Sequence, residues 1–229
     1  ACLSVVSYNL LAPAFVRPLD ARTGEVQPFA AFPWAEPAGE VLHWEARQPR
    51  LLAELRACRA DVICLQEVQF EHGEAGEHVL PGWLALDGYG ARLPMQSSLQ
   101  QMAERNGRVL GNDVAIGTAL LYRKDRLELA EDGPSRDPNV RVMACLRGRP
   151  GSALGSVLGP TAVVSVHLDA QSEEKRVERL RTCLSKARHW GVRDMVIAGD
   201  MNTECLPGSC AAALIADAPE PTAAELARE

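Results

Sequence analysis

The chain has 229 residues, 47% hydrophobic and 24% charged, with a net charge of −6. That composition excludes collagen-like, low-complexity and disordered chains, and the acidic balance argues against bulk coating of nucleic acid. A local basic cleft is still compatible with it. No apolar run approaches the ~18 residues of a membrane helix, so a soluble chain is expected. The start, Ala1-Cys2-Leu3-Ser4-Val5, shows neither a signal peptide nor an initiator Met and already resembles a strand. We therefore expect the sequence to begin inside a longer protein.

In chain order, Leu3 to Tyr8 is predicted as a strand running into Asn9. Residues 13–40 carry five prolines and are expected to form a long surface loop. A helix is expected from Gln48 to Cys58, with Pro49 in its first turn and Leu51, Leu52, Leu55 and Cys58 buried. Val62 to Leu65 is a short continuous apolar run, the mark of a buried strand, and it ends at Gln66-Glu67. Glu74 to Leu80 has a weak helical pattern, Tyr89 to Leu93 a weak strand pattern, and Met95 to Arg105 a helical one. Ala115 to Arg123 and Val140 to Leu146 are predicted strands, with loops at Asp132–Asn139 and Gly148–Pro160. Thr161 to Leu168 is a strong strand containing His167. Ser172 then caps a helix whose stripe is Val177, Leu180, Leu184 and Ala187, ended by Gly191. Met195 to Ala198 is a last buried strand, delivering Gly199-Asp200-Met201-Asn202. There is no internal repeat and no linker, so 1–229 is expected to be a single α/β domain.

The seven cysteines are dispersed, and Cys58, Cys64, Cys145 and Cys183 sit in apolar contexts. That pattern predicts reduced core thiols and an intracellular, cytoplasmic protein. Cys205 and Cys210 leave pairing or metal binding open, without a zinc-type quartet to support the latter. The basic residues are skewed, 21 Arg to 3 Lys. Phosphate binding would favour Arg, but their scatter fits a coding bias better. Trp34, Trp44 and Trp83 are read as packing residues in preference to a base-stacking platform.

Five polar residues fall at or near the C-terminal ends of apolar strands: Asn9, Glu67, His167, Asp200 and Asn202. Strand ends are where open α/β sheets present their chemistry. Two carboxylates with amide oxygens suit Mg²⁺ better than zinc. His167 adds a phosphate donor or a titrating group. Together they point to metal-assisted attack of water on a phosphoester. Singly, each has a plainer explanation, as a turn residue, a cap or a half-buried histidine.

The order of four blocks adds to this. Ser7-Tyr8-Asn9-Leu10-Leu11-Ala12, Leu65-Gln66-Glu67-Val68, Val166-His167-Leu168 and Gly199-Asp200-Met201-Asn202 together resemble the endonuclease/exonuclease/phosphatase superfamily. Trp44-Glu45-x-Arg47, the block from Ala60 to Val68, and Gly117 to Arg123 are similar to its branch of carbon-catabolite-repressor-type deadenylases, nocturnin, angel and 2′-phosphodiesterases. The resemblance implies a four-layer α/β sandwich, two packed mixed sheets flanked by helices. It also implies that Glu67 and Asn9 serve the metal, Mg²⁺ with Mn²⁺ able to substitute. Asp200 and Asn202 would hold the attacking water, and His167 the scissile phosphate, with Asn9 at the same centre. The implied activity is Mg²⁺-dependent phosphodiester hydrolysis of RNA by a deadenylase-like 3′-exoribonuclease. Alternatives are a small-nucleotide phosphatase, a 2′,5′-phosphodiesterase, or a non-catalytic binding module keeping the fold. RNA or a small nucleotide is the expected partner of a monomer with no membrane association.

Three departures from the family pattern stand out. Its later Asp-Tyr-Ile and Ser-Asp-His blocks are absent, so the domain is expected to lack its C-terminal strands and an acid/base histidine. Ile116 stands where the deadenylase branch often has Asp, which counts against adenine-type recognition. Ser165-Val166 precedes the histidine in place of the usual Asn/Thr residues.

Overall fold

The structure, a computed structural model, describes residues 2–16, 23, 39–131 and 141–203. Ten strands and four α-helices are arranged in them. One sheet has the order β1 (Val5–Asn9), β2 (Val62–Gln69), β6 (Ile116–Arg123), β5 (Tyr89–Arg92). The other runs β10 (Asp194–Asp200), β9 (Thr161–His167), β8 (Arg141–Gly148), β7 (Leu127–Glu131). Each sheet is mixed: β1–β2 and β10–β9 are parallel, and the remaining pairs are antiparallel.

The layering follows from side-chain alternation. On β2, Val62 and Cys64 face the second sheet and pack with Leu120, Val142, Ala144 and Val163. Ile63 and Leu65 face outward, against Leu55 of α2 (Trp44–Cys58) and Leu99 and Met102 of α3 (Gln96–Leu110). On the far side, Val164 and Val166 meet Leu180 and Cys183 of α4 (Glu173–His189). Strands covered on both faces lose polar/apolar alternation, which explains the continuous runs in the sequence. The result is the expected sandwich, helix–sheet–sheet–helix. A polar bolt crosses the two sheets. Ser165 Oγ donates to the Leu65 carbonyl (3.2 Å) and accepts from Gln66 Nε2 (3.3 Å), while Ser7 Oγ donates to Gln66 Oε1 (3.3 Å).

Several local expectations need correction. Helix α2 begins at Trp44, so Pro49 lies inside it and not in its first turn. Arg47 accounts for the early start: it donates to the carbonyls of Leu10, Leu11 and Leu42, and that anchoring outweighs the backbone hydrogen bond lost at proline. Leu55 is buried as expected but Cys58 is exposed, because the helix face turns outward toward its C-terminus. In place of a helix over Glu74–Leu80 there is a hairpin of β3 (Glu71–His72) and β4 (His78–Val79). Gly76 at φ +80° and the Gly73 N–H to Glu77 carbonyl bond (2.7 Å) close its turn. Strand β7 was not expected, although Leu127-Glu128-Leu129 has the period of two. In α4 the buried stripe uses Cys183 where Leu184 was expected. The Ser172 cap is present, accepting from the Lys175 N–H at 3.3 Å.

Residues 13–40 contain a helical turn, α1 (Pro13–Val16), that buries Val16, and a 3₁₀ turn opens at Gly39. The rest of that predicted loop, apart from Thr23, lies outside the described residues, as do Trp34, Cys205 and Cys210. Trp44 and Trp83 pack edge to face with centroids 5.2 Å apart, as the packing reading requires. Cys64, Cys145 and Cys183 are buried thiols. Burial pushes the Cys64 thiol up to about 12, with the Ser165 hydroxyl opposing, so it has no thiolate character.

Candidate active site

Adjacent strand ends from the two sheets bring the polar residues together. Asn9 ends β1, beside β2, and Asp200 ends β10 in direct register with His167 of β9. Glu67 owes its position to a β-bulge. The register of β2 against β6 shifts between Leu65 and Val68, and Glu67 adopts φ +54°. The burial pattern shows the slip: Ile63 and Leu65 share the outer core with Val68 and Phe70, a parity change of one residue. A bulge re-aims the side chain it contains. Here it brings the Glu67 carboxylate to Asn9.

The hydrogen bonds tie the two sheets at this point. Asn9 Nδ2 donates to Glu67 Oε1 (3.0 Å) and to Asp200 Oδ2 (3.1 Å). The Ala12 N–H donates to Glu67 Oε2 (3.0 Å), and the Leu11 N–H to Asn9 Oδ1 (2.9 Å). His167 Nε2 lies 3.9 Å from Asp200 Oδ2, an ion pair when the imidazole is protonated. Asp200 Oδ1 accepts from the Asn202 N–H (3.0 Å), and Asn202 Nδ2 donates to the Leu168 carbonyl (2.8 Å). Thus Asn9, Glu67, His167 and Asp200 form one cluster. Asn202 joins it through its backbone, while its amide nitrogen braces the β9 exit.

Strain is concentrated in the same place. Of the four non-glycine residues with positive φ among the described residues, Leu11, Glu67 and Asn202 are here, and the fourth, Arg59, caps α2. Gly199 precedes Asp200 at φ +153°, pressed against the Val166 carbonyl. Backbone held in such conformations points toward function.

Arg47 was not among the expected site residues. Its guanidinium donates to the Leu10 and Leu11 carbonyls (both 2.9 Å), fixing the loop whose Ala12 amide holds Glu67. Burial lowers the Arg47 pKa from its ordinary value, and the Glu67 charge opposes that shift. The only sequence signal for it was the Trp44-Glu45-x-Arg47 block.

Two carboxylates sharing one amide form an all-oxygen acidic pair without sulfur. That fits Mg²⁺, which takes one or two carboxylates and fills its other positions with water and phosphate. It offers zinc no sulfur ligand and a single histidine. Among the described residues, no group of three or more His, Cys, Asp or Glu gathers to hold a metal. Since Asn9 Oδ1 accepts from Leu11, this amide turns its nitrogen, not its oxygen, toward the carboxylates. In this arrangement Asn9 holds the two carboxylates together. Next to the cluster opens a cleft of about 390 Å³ with His167 and Asn202 in its wall. No helix among the described residues is long and apolar enough to cross a membrane.

Comparison with known proteins gives the family and the fold. Residues 7–218 match the model of the Endonuclease/Exonuclease/phosphatase family. Carbon catabolite repressor protein 4 homolog 1 of Arabidopsis thaliana is 31% identical over 124 residues, covering 54% of this chain and 17% of that protein. Among solved structures, ANGEL2, a 2′,3′-cyclic phosphatase in complex with adenosine-2′,3′-vanadate, is similar in fold. Its TM-score is 0.61 at 22% identity, over 94% of this chain and 57% of that one. The human nocturnin catalytic domain gives 0.52 at 17%, over 88% and 65%. The chain thus spans a minor part of the plant relative and just over half of ANGEL2. The chain belongs to the endonuclease/exonuclease/phosphatase family.

Proposed function

We propose that this chain carries the centre of a Mg²⁺-dependent phosphodiester hydrolase acting on RNA as a deadenylase-like 3′-exoribonuclease. The observation that supports this most is the Asn9 amide bridging Glu67 and Asp200 across the two sheets. Glu67 would hold Mg²⁺, with Mn²⁺ able to replace it, and Asn9 would keep Glu67 and Asp200 together against their mutual repulsion. The metal, when bound, supplies charge neutralisation and polarisation at a phosphate oxygen. Asp200 would orient the attacking water through Oδ2, the oxygen it offers toward Asn9 and His167. His167 would donate to the scissile phosphate and stabilise its developing charge. Asn202 would keep Asp200 in its rotamer and border the substrate cleft.

Hydrolysis of poly(A), mixed RNA, 2′,5′-oligoadenylate and NADPH with and without Mg²⁺ tests the reading. Glu67→Gln keeps the size of the side chain and removes its charge. We expect metal-dependent turnover to fall by about 10²-fold or more, the scale seen when a key electrostatic group is removed. Near-normal turnover in that variant would sink the assignment. Cleavage of 2′,5′-oligoadenylate or NADPH in preference to poly(A) would move the substrate to the small-nucleotide alternative. That alternative is favoured by the cleft, whose volume suits about one nucleotide.

A further inference from the structure

The cleft beside His167 has a charge pattern that the hydrolytic cluster does not use. Arg105 of α3 and Arg179 of α4 both line it, approaching from the helices that cover opposite sheets. Neither guanidinium makes a hydrogen bond or ion pair among the described residues. The acidic residue in the same wall is Asp169, and it is already engaged. Its Oδ1 accepts from the Gln171 and Ser172 amides (both 2.9 Å), and its Oδ2 lies 3.6 Å from Lys175 Nζ. The cleft therefore presents two guanidinium groups with no hydrogen-bonding partner among the described residues, the charge of Arg179 also acting on Asp169, on a chain whose net charge is −6. Phe15 and Val109, the latter one helical turn from Arg105, line the same cleft and stay 36% and 61% exposed.

Planar forks of N–H donors match phosphate oxygens two at a time, and an aromatic face with an aliphatic neighbour suits a base. We propose that Arg105 and Arg179 hold a second phosphate, one nucleotide removed from the scissile one, with the intervening base against Phe15 and Val109. The preferred substrate is then an RNA 3′ end that carries a second phosphate one nucleotide upstream, with 5′-phosphorylated diadenylate as its minimal form, or another nucleotide with two spaced phosphates. An isolated monoester is a poor substrate. This rests on reading the adjacent strand ends as the hydrolytic centre.

The test is equilibrium binding in EDTA, where nothing turns over, comparing 5′-phosphorylated diadenylate (pApA) with ApA. The wild-type chain is expected to bind pApA about tenfold more tightly, the scale of one charge-assisted bidentate contact. Arg105→Gln with Arg179→Gln should erase that preference while leaving thermal melting unchanged. The Lys double variant, which keeps charge without the fork, should recover only part of it. Equal binding of pApA and ApA, no binding of either at millimolar concentration, or a preference surviving in the Gln variant would each overturn the proposal. Hydrolysis of bis(p-nitrophenyl) phosphate by the wild-type chain, a substrate with one phosphate, tests the hydrolytic reading separately. Failure there with the pApA preference intact would remove the chemistry and leave the binding site.

Discussion

Gly199 is the position at which a single methyl group should do most damage. A Cβ built there would sit 1.9 Å from the Val166 carbonyl oxygen and 2.8 Å from the Val166 nitrogen, both backbone atoms that cannot rotate away. Its φ of +153° is close to unavailable to any residue with a side chain. Gly199→Ala must therefore move β10 away from β9 by about 1 Å, at the register pair directly before Asp200 and His167. A shift of that size stretches the 3.1 Å Asn9–Asp200 hydrogen bond past its useful range. Overpacking costs about 1–3 kcal/mol and each lost hydrogen bond about 1 kcal/mol, so we expect a loss near ~3 kcal/mol. For a chain of this size that lowers Tm by roughly 6–12 °C. Turnover should drop by about 10²-fold, as for other misplacements of about 1 Å. Gly191→Ala is the control: at φ +68° with nothing within 4 Å, it should cost only about 1 kcal/mol. The assays are thermal and urea unfolding followed by circular dichroism, alongside the hydrolysis panel. If Gly199→Ala melts within about 2 °C of wild type, the close approach of β9 and β10 is not what the packing argument requires.

Three further outcomes can be checked. Asp61 is fully buried, accepts from the Ser4 N–H and hydroxyl (both 2.9 Å), and pairs with Arg126 at 2.8 Å. Arg126→Ala, which strands that buried charge, should lower the unfolding free energy by about 3 kcal/mol in urea titrations, and a change below about 1 kcal/mol would contradict the burial argument. Thr118 sits opposite the β2 bulge with its hydroxyl buried and without a hydrogen-bond partner among the described residues. Thr118→Val should be neutral or more stable by up to about 1 kcal/mol, and a clear destabilisation would reveal a missing partner. Asp169 is held below the ordinary carboxylate range by the Gln171 amide first, against the burial that raises it, and then by the Ser172 amide and the charges of Lys175 and Arg179. A depressed folded pKa adds stability above the unfolded value of about 3.9 and loses it as pH falls through the folded one. Urea midpoints measured downward from pH 6 should therefore decline through that acid range, and Asp169→Asn should flatten the decline.

Opposing geometric demands meet at the strand ends. Two carboxylates must approach one another, which their charges resist, and the protein meets this with one amide donating to both. Arg47 and the Ala12 N–H hold the Glu67 side from behind, and Asn202 holds Asp200. The strained φ values of Leu11, Glu67 and Asn202 are consistent with a site kept in place by its surroundings, at some cost in local stability.

Much of this was legible in the sequence because the relevant information is local. Continuous apolar runs at Val62–Leu65 and Thr161–Leu168 announce strands buried on both faces. The Ser172 cap and its following Glu residues announce a helix, and the position of Asn9, Glu67, His167 and Asp200 after apolar runs announces strand ends. Other features were not local. The helix expected over Glu74–Leu80 became a hairpin because Gly73 and Gly76 closed a turn that cross-strand pairing could use. Pro49 stayed inside α2 because Arg47, through the nearby Leu42 carbonyl and the distant ones of Leu10 and Leu11, stabilised the turn before it. The alternation of predicted strands and helices determined an α/β fold, and the apolar runs determined which residues end its strands. Only the tertiary structure decided that β1 and β10, from different sheets and separated by 191 residues at the Asn9–Asp200 contact, end side by side. It alone decided that the bulge turns Glu67 toward them, since register and sheet stacking are set by burial across the whole chain.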